Sequence, residues 1–212
     1  MTLAKVAEPA IDDVARDRAI GRYGLAECLL VPIAALDERA IAAYVGDVVA
    51  CLSGGPGRKA LLVMAREPPL RDPAFPIWDV AGAEILHQRR QVWVHIAYTC
   101  YRRAYRAAFP DEDLGDRVLS HAMNRRVAAL RGFQFVRLTP TSRGANSSSA
   151  FSEGWGVALH SEPAQTAANR SRGASIAYAD LTELMLLLDM KLGGGVMDAV
   201  NEGQRLVRPR TG

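Results

Sequence analysis

A chain of 212 residues that is 49% apolar and 23% charged has the composition of a folded globular protein and is too apolar for intrinsic disorder. No apolar run reaches the roughly 18 residues of a membrane helix, and the nearest, Leu184 to Met190, is interrupted by Asp189. The first residues carry early acids and no apolar signal core, so the expected setting is cytoplasmic, without a membrane partner.

In chain order, residues 9–20 predict a short amphipathic helix that Gly21 and Gly24 end. Leu25 to Ile33 is short and continuously apolar, which predicts a buried strand. Asp37 is placed to cap a helix over 38–52, with Ile41, Tyr44, Val45, Val48 and Val49 at helical spacing. Ala60 to Ala65 predicts a second strand, and the prolines of 67–78 an irregular crossing loop. The longest expected helix covers 79–109, on the ridge Trp93, Ala97, Cys100, Ala104 and Ala108. Another follows over 114–131, with Gly132 as its terminating residue.

Phe133 to Leu138 predicts a strand, Thr139 to Glu153 a hydroxyl-rich loop, and Trp155 to Leu159 a short strand. Residues 164–174 are expected to be a loop or a frayed helix, 179–192 a helix, and 196–207 a last amphipathic piece. The expected fold class is α+β. A small, short-stranded sheet covered by several helices would form a single compact domain over 1–212.

Cys28, Cys51 and Cys100 are scattered in apolar surroundings and are expected to be buried thiols. No histidine or cysteine spacing matches a metal site, and no cofactor is expected. Gly54 to Lys59 lacks the Gly-Lys-Ser/Thr of a phosphate-binding loop and precedes a strand, so it is expected to be a turn.

Charge is uneven. The net charge is only +3, yet eleven arginines face four acids between His87 and Arg143. Guanidinium groups favour bidentate contact with phosphate or carboxylate. His95, Tyr98, Arg102, Tyr105 and Arg106 would share one helix face, where arginine and aromatic residues interleave as in nucleic-acid contacts.

Arg117, His121, Asn124, Arg125 and Arg131 would form a second polar ridge. Arginines beside His121 would keep its imidazole neutral, a state suited to a general base. The expected binding residues are Arg102, Arg106, Arg117, Asn124, Arg125, Arg137, Arg143, Asn146, Ser147, Ser148 and Glu153, with Arg137 pointing out toward the hydroxyl-rich loop.

These features point first to an intracellular protein that binds nucleic acid or another polyanion, with the arginine-rich helical face and the Ser/Asn-rich loop as its binding surface. Two alternatives share the same residues. One is a subunit of a larger assembly that docks an acidic protein partner. The other is a hydrolase or nuclease with His121 as base.

Overall fold

Strand β6 (Phe135–Thr141) is hydrogen-bonded along both edges, and all seven of its residues are buried. It is the centre of an antiparallel sheet seen in the computed structural model, which describes residues 11–55, 58–66, 71–163, 165, 173–193 and 195–211. The other strands are β1 (Pro32–Ala35), β2 (Gly46–Gly55), β3 (Arg58–Ala65), β4 (Arg90–His95), β5 (Val118–His121) and β7 (Ile176–Tyr178). Their order is β2-β3-β4-β6-β1-β7, with β5 also joined to β6. β4 covers one edge of β6, pairing Val92 with Leu138 and His95 with Phe135. The other edge is divided: β1 pairs with Phe135 and Val136, and β5 with Leu138 to Thr141.

The helices among the described residues are α1 (Asp13–Tyr23), α2 (Glu38–Tyr44), α3 (Tyr101–Ala108), α4 (Arg125–Leu130), α5 (Arg143–Ser148), α6 (Ala150–Ser161), α7 (Leu181–Leu187) and α8 (Val196–Val207). With the sheet they make a mixed α+β fold. One apolar core joins residues from Ala15 on α1 to Val207 on α8.

Asp12 ties the N-terminal helix into this core. One carboxylate oxygen accepts from the Ala15 amide at 3.0 Å and caps α1. The other accepts from the Ser175 and Ile176 amides at 2.6 and 3.2 Å, at the entry to β7.

Several expected elements differ, each for a tertiary reason. The helix expected over 38–52 stops at Tyr44, and the chain continues as β2. Val45, Val48 and Val49 have β-branched side chains that suit a strand when a partner is present. Gly46 passes close to β3: a Cβ there would lie 2.1 Å from the Met64 carbonyl oxygen. Leu25 to Ile33 forms a 3-10 turn over Glu27–Leu29 and turns into strand only at Pro32.

The helix expected over 79–109 divides into a 3-10 turn (Ala83–His87), β4 and α3. Gln91 to Val94 lie between β3 and β6 and are buried, an environment that favours strand for a Val-Trp-Val run. The helix expected over 114–131 becomes β5 and the short α4. Gly132, at φ 89°, closes α4 as expected, and Phe133 N–H bonds the Ala128 carbonyl at 2.9 Å before β6 begins.

The hydroxyl-rich loop is largely helical, forming α5 and the start of α6, and Trp155 to Leu159 lie in α6 rather than in a strand. Of the crossing loop expected over 67–78, residues 67–70 lie outside the described residues, and Pro76–Asp79 forms a 3-10 turn. Pro56, Gly57, Gly194 and most of 164–174 also lie outside them. Cys28 is half-buried, while Cys51 and Cys100 are exposed rather than buried.

Val45, Val63, Trp93, Leu119, Val136, Leu184 and Leu188 are buried, whereas Val48 and Leu62 are half-buried. Leu184 on α7 is 1% exposed and Val14 on α1 is 47% exposed. Leu184→Ala is therefore expected to cost about 2–5 kcal/mol in a denaturant titration. Val14→Ala is expected to stay within about 0.5 kcal/mol of the parent. Equal midpoints for the two variants would contradict this placement of the core.

Candidate functional site

His121 is the last residue of β5, where the strand pairs with Leu138 of β6. It is therefore a strand residue and not part of a helical ridge. Three residues on, Asn124 caps α4. Its Oδ1 accepts from the amides of Arg126 and Val127 at 2.8 and 3.4 Å. With the oxygen committed to the cap, the amide nitrogen points away and donates to Glu153 Oε2 at 2.8 Å. Glu153 lies in the first turn of α6. Ser149 Oγ, bonded to the Asn146 carbonyl at 2.8 Å, also reaches within 3.5 Å of Glu153 Oε1. Thus β5, the α4 cap and α6 bring an imidazole, an amide and a carboxylate together.

The imidazole is neutral. Burial, and then the charge of Arg125, push its pKa down to about 4. The Tyr101 ring meets it edge-on, with centroids 5.0 Å apart. Its Nε2 is buried and has no hydrogen-bond partner among the described residues.

These three side chains stand between two cavities. In front lies a polar cavity of about 640 Å³, whose lining includes Tyr101, His121, Asn124, Arg125, Arg126, Asn146 and Glu153. Behind lies a cavity of about 290 Å³ with largely apolar walls, including Val127, Leu159, Leu181 and Leu186. His121, Asn124 and Glu153 line both. A third depression of about 590 Å³ runs along α3 past Arg102, Arg103 and Arg106, and Tyr101 lines both it and the polar cavity.

Of the residues expected from the sequence, His121, Asn124, Arg125, Asn146 and Glu153 come together in the polar cavity. Arg102 and Arg106 lie beside the adjoining depression. The others do not join them. Arg137 was expected to project toward the Ser/Asn-rich segment, but it is 0% exposed inside the fold. It donates to the Ile85 carbonyl at 2.5 Å, with Gln88 Oε1 at 3.5 Å. Both faces of β6 are covered, so strand alternation turns Arg137 from one buried layer to another and never to solvent.

Arg117 reaches Asp189 at 4.0 Å. Arg143 and Ser147 are exposed on α5, outside the polar cavity. Ser148 Oγ donates to the Ala145 carbonyl and accepts from the Leu192 amide, both at 2.9 Å, so its role is to close the fold.

The expected aromatic–arginine face does not exist as one helix. His95 is on β4, and the Tyr105 ring is buried with its hydroxyl donating to Glu112 at 3.1 Å. Tyr101 and Arg126 line the polar cavity and were not expected as site residues. The adjacency of Arg126 to Arg125 was the available signal; nothing in the sequence singled out Tyr101. Among the described residues no three His, Cys, Asp or Glu side chains gather as a metal-ligating set.

Comparison of the chain with family models, with curated proteins and with solved structures finds no match.

His87, His121 and His160 all have pKa values lowered to about 4, each chiefly by burial. The ordinary histidine value is about 6.5. A depressed folded pKa means that the unfolded chain takes up protons first as pH falls. Stability from these groups is complete above about pH 6.5 and is lost as pH falls toward about 4. Glu183 acts in the opposite sense, because burial and Asp180 raise its pKa, so the His121 contribution is read against a variant that lacks only the imidazole. Relative to His121→Gln, the parent protein should lose stability more steeply between about pH 6.5 and 4. Parallel curves of urea midpoint against pH would rule out a buried neutral His121.

Proposed function

We propose that this protein binds a phosphate-bearing ligand, nucleic acid or another polyanion, in the polar cavity and along the α3 depression. The observation that carries this reading is a pair of depressions that share Tyr101 and are bordered by five exposed guanidinium groups: Arg102, Arg103, Arg106, Arg125 and Arg126. Among the described residues none of the five forms an ion pair with a carboxylate. Of the five, Arg125 donates to the Ile96 carbonyl at 3.4 Å, whereas Arg16 on α1 is paired with Asp13. A row of unpaired arginines around a cleft concentrates positive potential where a phosphate backbone would lie. Tyr101, between the two depressions, offers an aromatic surface to a base.

The chemistry of His121 favours binding over hydrolysis. A general base works best with a pKa near the operating pH, and an imidazole at about 4 is a weak proton acceptor at neutrality. It is well suited to remain uncharged and exchange hydrogen bonds with a ligand. Asn124 holds the Glu153 carboxylate in place, where it can accept from a ligand hydroxyl. An acidic protein partner would use the same arginines, but would not require the cavity behind them.

Reversing Arg125 and Arg126 to Glu should weaken binding of a labelled single-stranded oligonucleotide by about tenfold or more. The slope of log Kd against log salt should flatten by about two, one for each lost phosphate contact. Arg102→Glu with Arg106→Glu should act in the same direction, while Arg143→Glu, outside the cleft, should have a smaller effect. Fluorescence anisotropy across a salt series reads all three. Oligonucleotide binding that is absent, or that ignores both double reversals, would overturn the proposal.

A further inference from the structure

We infer that the cavity behind His121 seats a heteroaromatic base, so that the ligand is a nucleotide unit with its phosphate at Arg125 and Arg126. This rests on the phosphate-binding reading above and adds the chemistry of the other end of the ligand. His121, Asn124 and Glu153 line both cavities, so a ligand that passes this wall has one end in each. The front cavity is polar and bordered by guanidinium groups. The rear one, about 290 Å³, is near the lower size limit of small-molecule sites, room for one ring system.

The walls of the rear cavity distinguish a base from an acyl chain. Val127, Leu159 and Leu186 supply apolar contact. Set among them are the polar side chains of Asn124, Thr182 and Gln204, and two lining residues, His121 and Arg131, that each hold an enclosed nitrogen with no partner among the described residues. A hydrocarbon tail would offer these polar groups no partner. The edge of a heterocycle carries donors and acceptors that satisfy such groups, while its faces fill the apolar space. Trp155 lines the same cavity and is 56% exposed, an aromatic surface placed for stacking.

Isothermal titration of the full chain with inorganic phosphate, ribose 5-phosphate, hexyl phosphate and the four common nucleoside 5′-monophosphates tests this. At least one nucleotide should bind about tenfold or more tighter than ribose 5-phosphate and hexyl phosphate, the scale of one stacked base. Leu186→Phe, which narrows the cavity, should remove that advantage. Trp155→Ala, at an exposed position that does not threaten folding, should reduce it as well. A 5′-phosphorylated trinucleotide separates the two sources of such a unit: tighter binding than the mononucleotide assigns a nucleic-acid end, equal or weaker binding a free nucleotide.

Hexyl phosphate equal to or tighter than every nucleotide, or nucleotides equal to ribose 5-phosphate, would overturn the base site and leave the phosphate site standing. No binding of any phosphate compound or oligonucleotide would remove both.

Discussion

One edge of β6 is shared by two strands, and the site follows from that division. β1 satisfies the backbone of Phe135 and Val136, and β5 that of Leu138 to Thr141. Both cannot continue along the same edge, so β5 must leave at His121. The last link is the Ala122 amide, which bonds the Arg137 carbonyl at 2.9 Å. The chain then needs a new sink for its amides, and the Asn124 cap supplies it by starting α4. The sharing of one β6 edge between β1 and β5 thus fixes where β5 ends at His121, where Asn124 turns and where α4 begins. The cavities lie on either side of that turn because the sheet edge is used up there.

Charge is handled in two distinct ways. Arg137 is enclosed with the Ile85 carbonyl as its close partner, and burial lowers its pKa to about 10, so it remains protonated at neutral pH. A buried cation of this kind is costly to the fold, yet it bonds β6 to the Ala83–His87 turn beyond β4. Asp189 shows the opposite balance. Burial would raise its pKa, but the Ser142 amide at 2.5 Å, the Thr141 hydroxyl at 2.8 Å and the charge of Arg117 hold it below the usual range. Asp189 adopts φ 58°, a left-handed backbone that lets its carboxylate reach back to the end of β6. By contrast, the arginines around the cleft are exposed and form no ion pair among the described residues.

The Ser/Asn-rich segment shows how donor-rich sequence can be consumed by structure. Ser142 caps α5, Ser149 bonds the Asn146 carbonyl, and Ser148 ties the Leu192 amide to α5. Most of these hydroxyls serve local backbone groups. Asn146, as a lining side chain, and Glu153, through Asn124, carry the segment into the cleft.

The sequence by itself determined the mixed fold class, the apolar segments that form the core, the Asp37 and Gly132 boundaries and the concentration of arginine between His87 and Arg143. These are local properties: side-chain hydrophobicity, backbone preference and charge act within a few residues. It also singled out His121, Asn124, Arg125, Asn146 and Glu153, because polar and ionisable groups near apolar periodicity stand out without a structure. Only the tertiary structure decided that 46–55, 90–95 and 118–121 are strands. Valine and tryptophan at helical spacing satisfy both periodicities in a short window, and the pairing partners lie far along the chain. It alone decided that Arg137 is enclosed while Arg125 is open, since burial depends on whether both faces of a strand are covered. The junction of Tyr101 with His121, twenty residues apart in the chain and in edge-on ring contact in space, exists only once β5 has paired with β6.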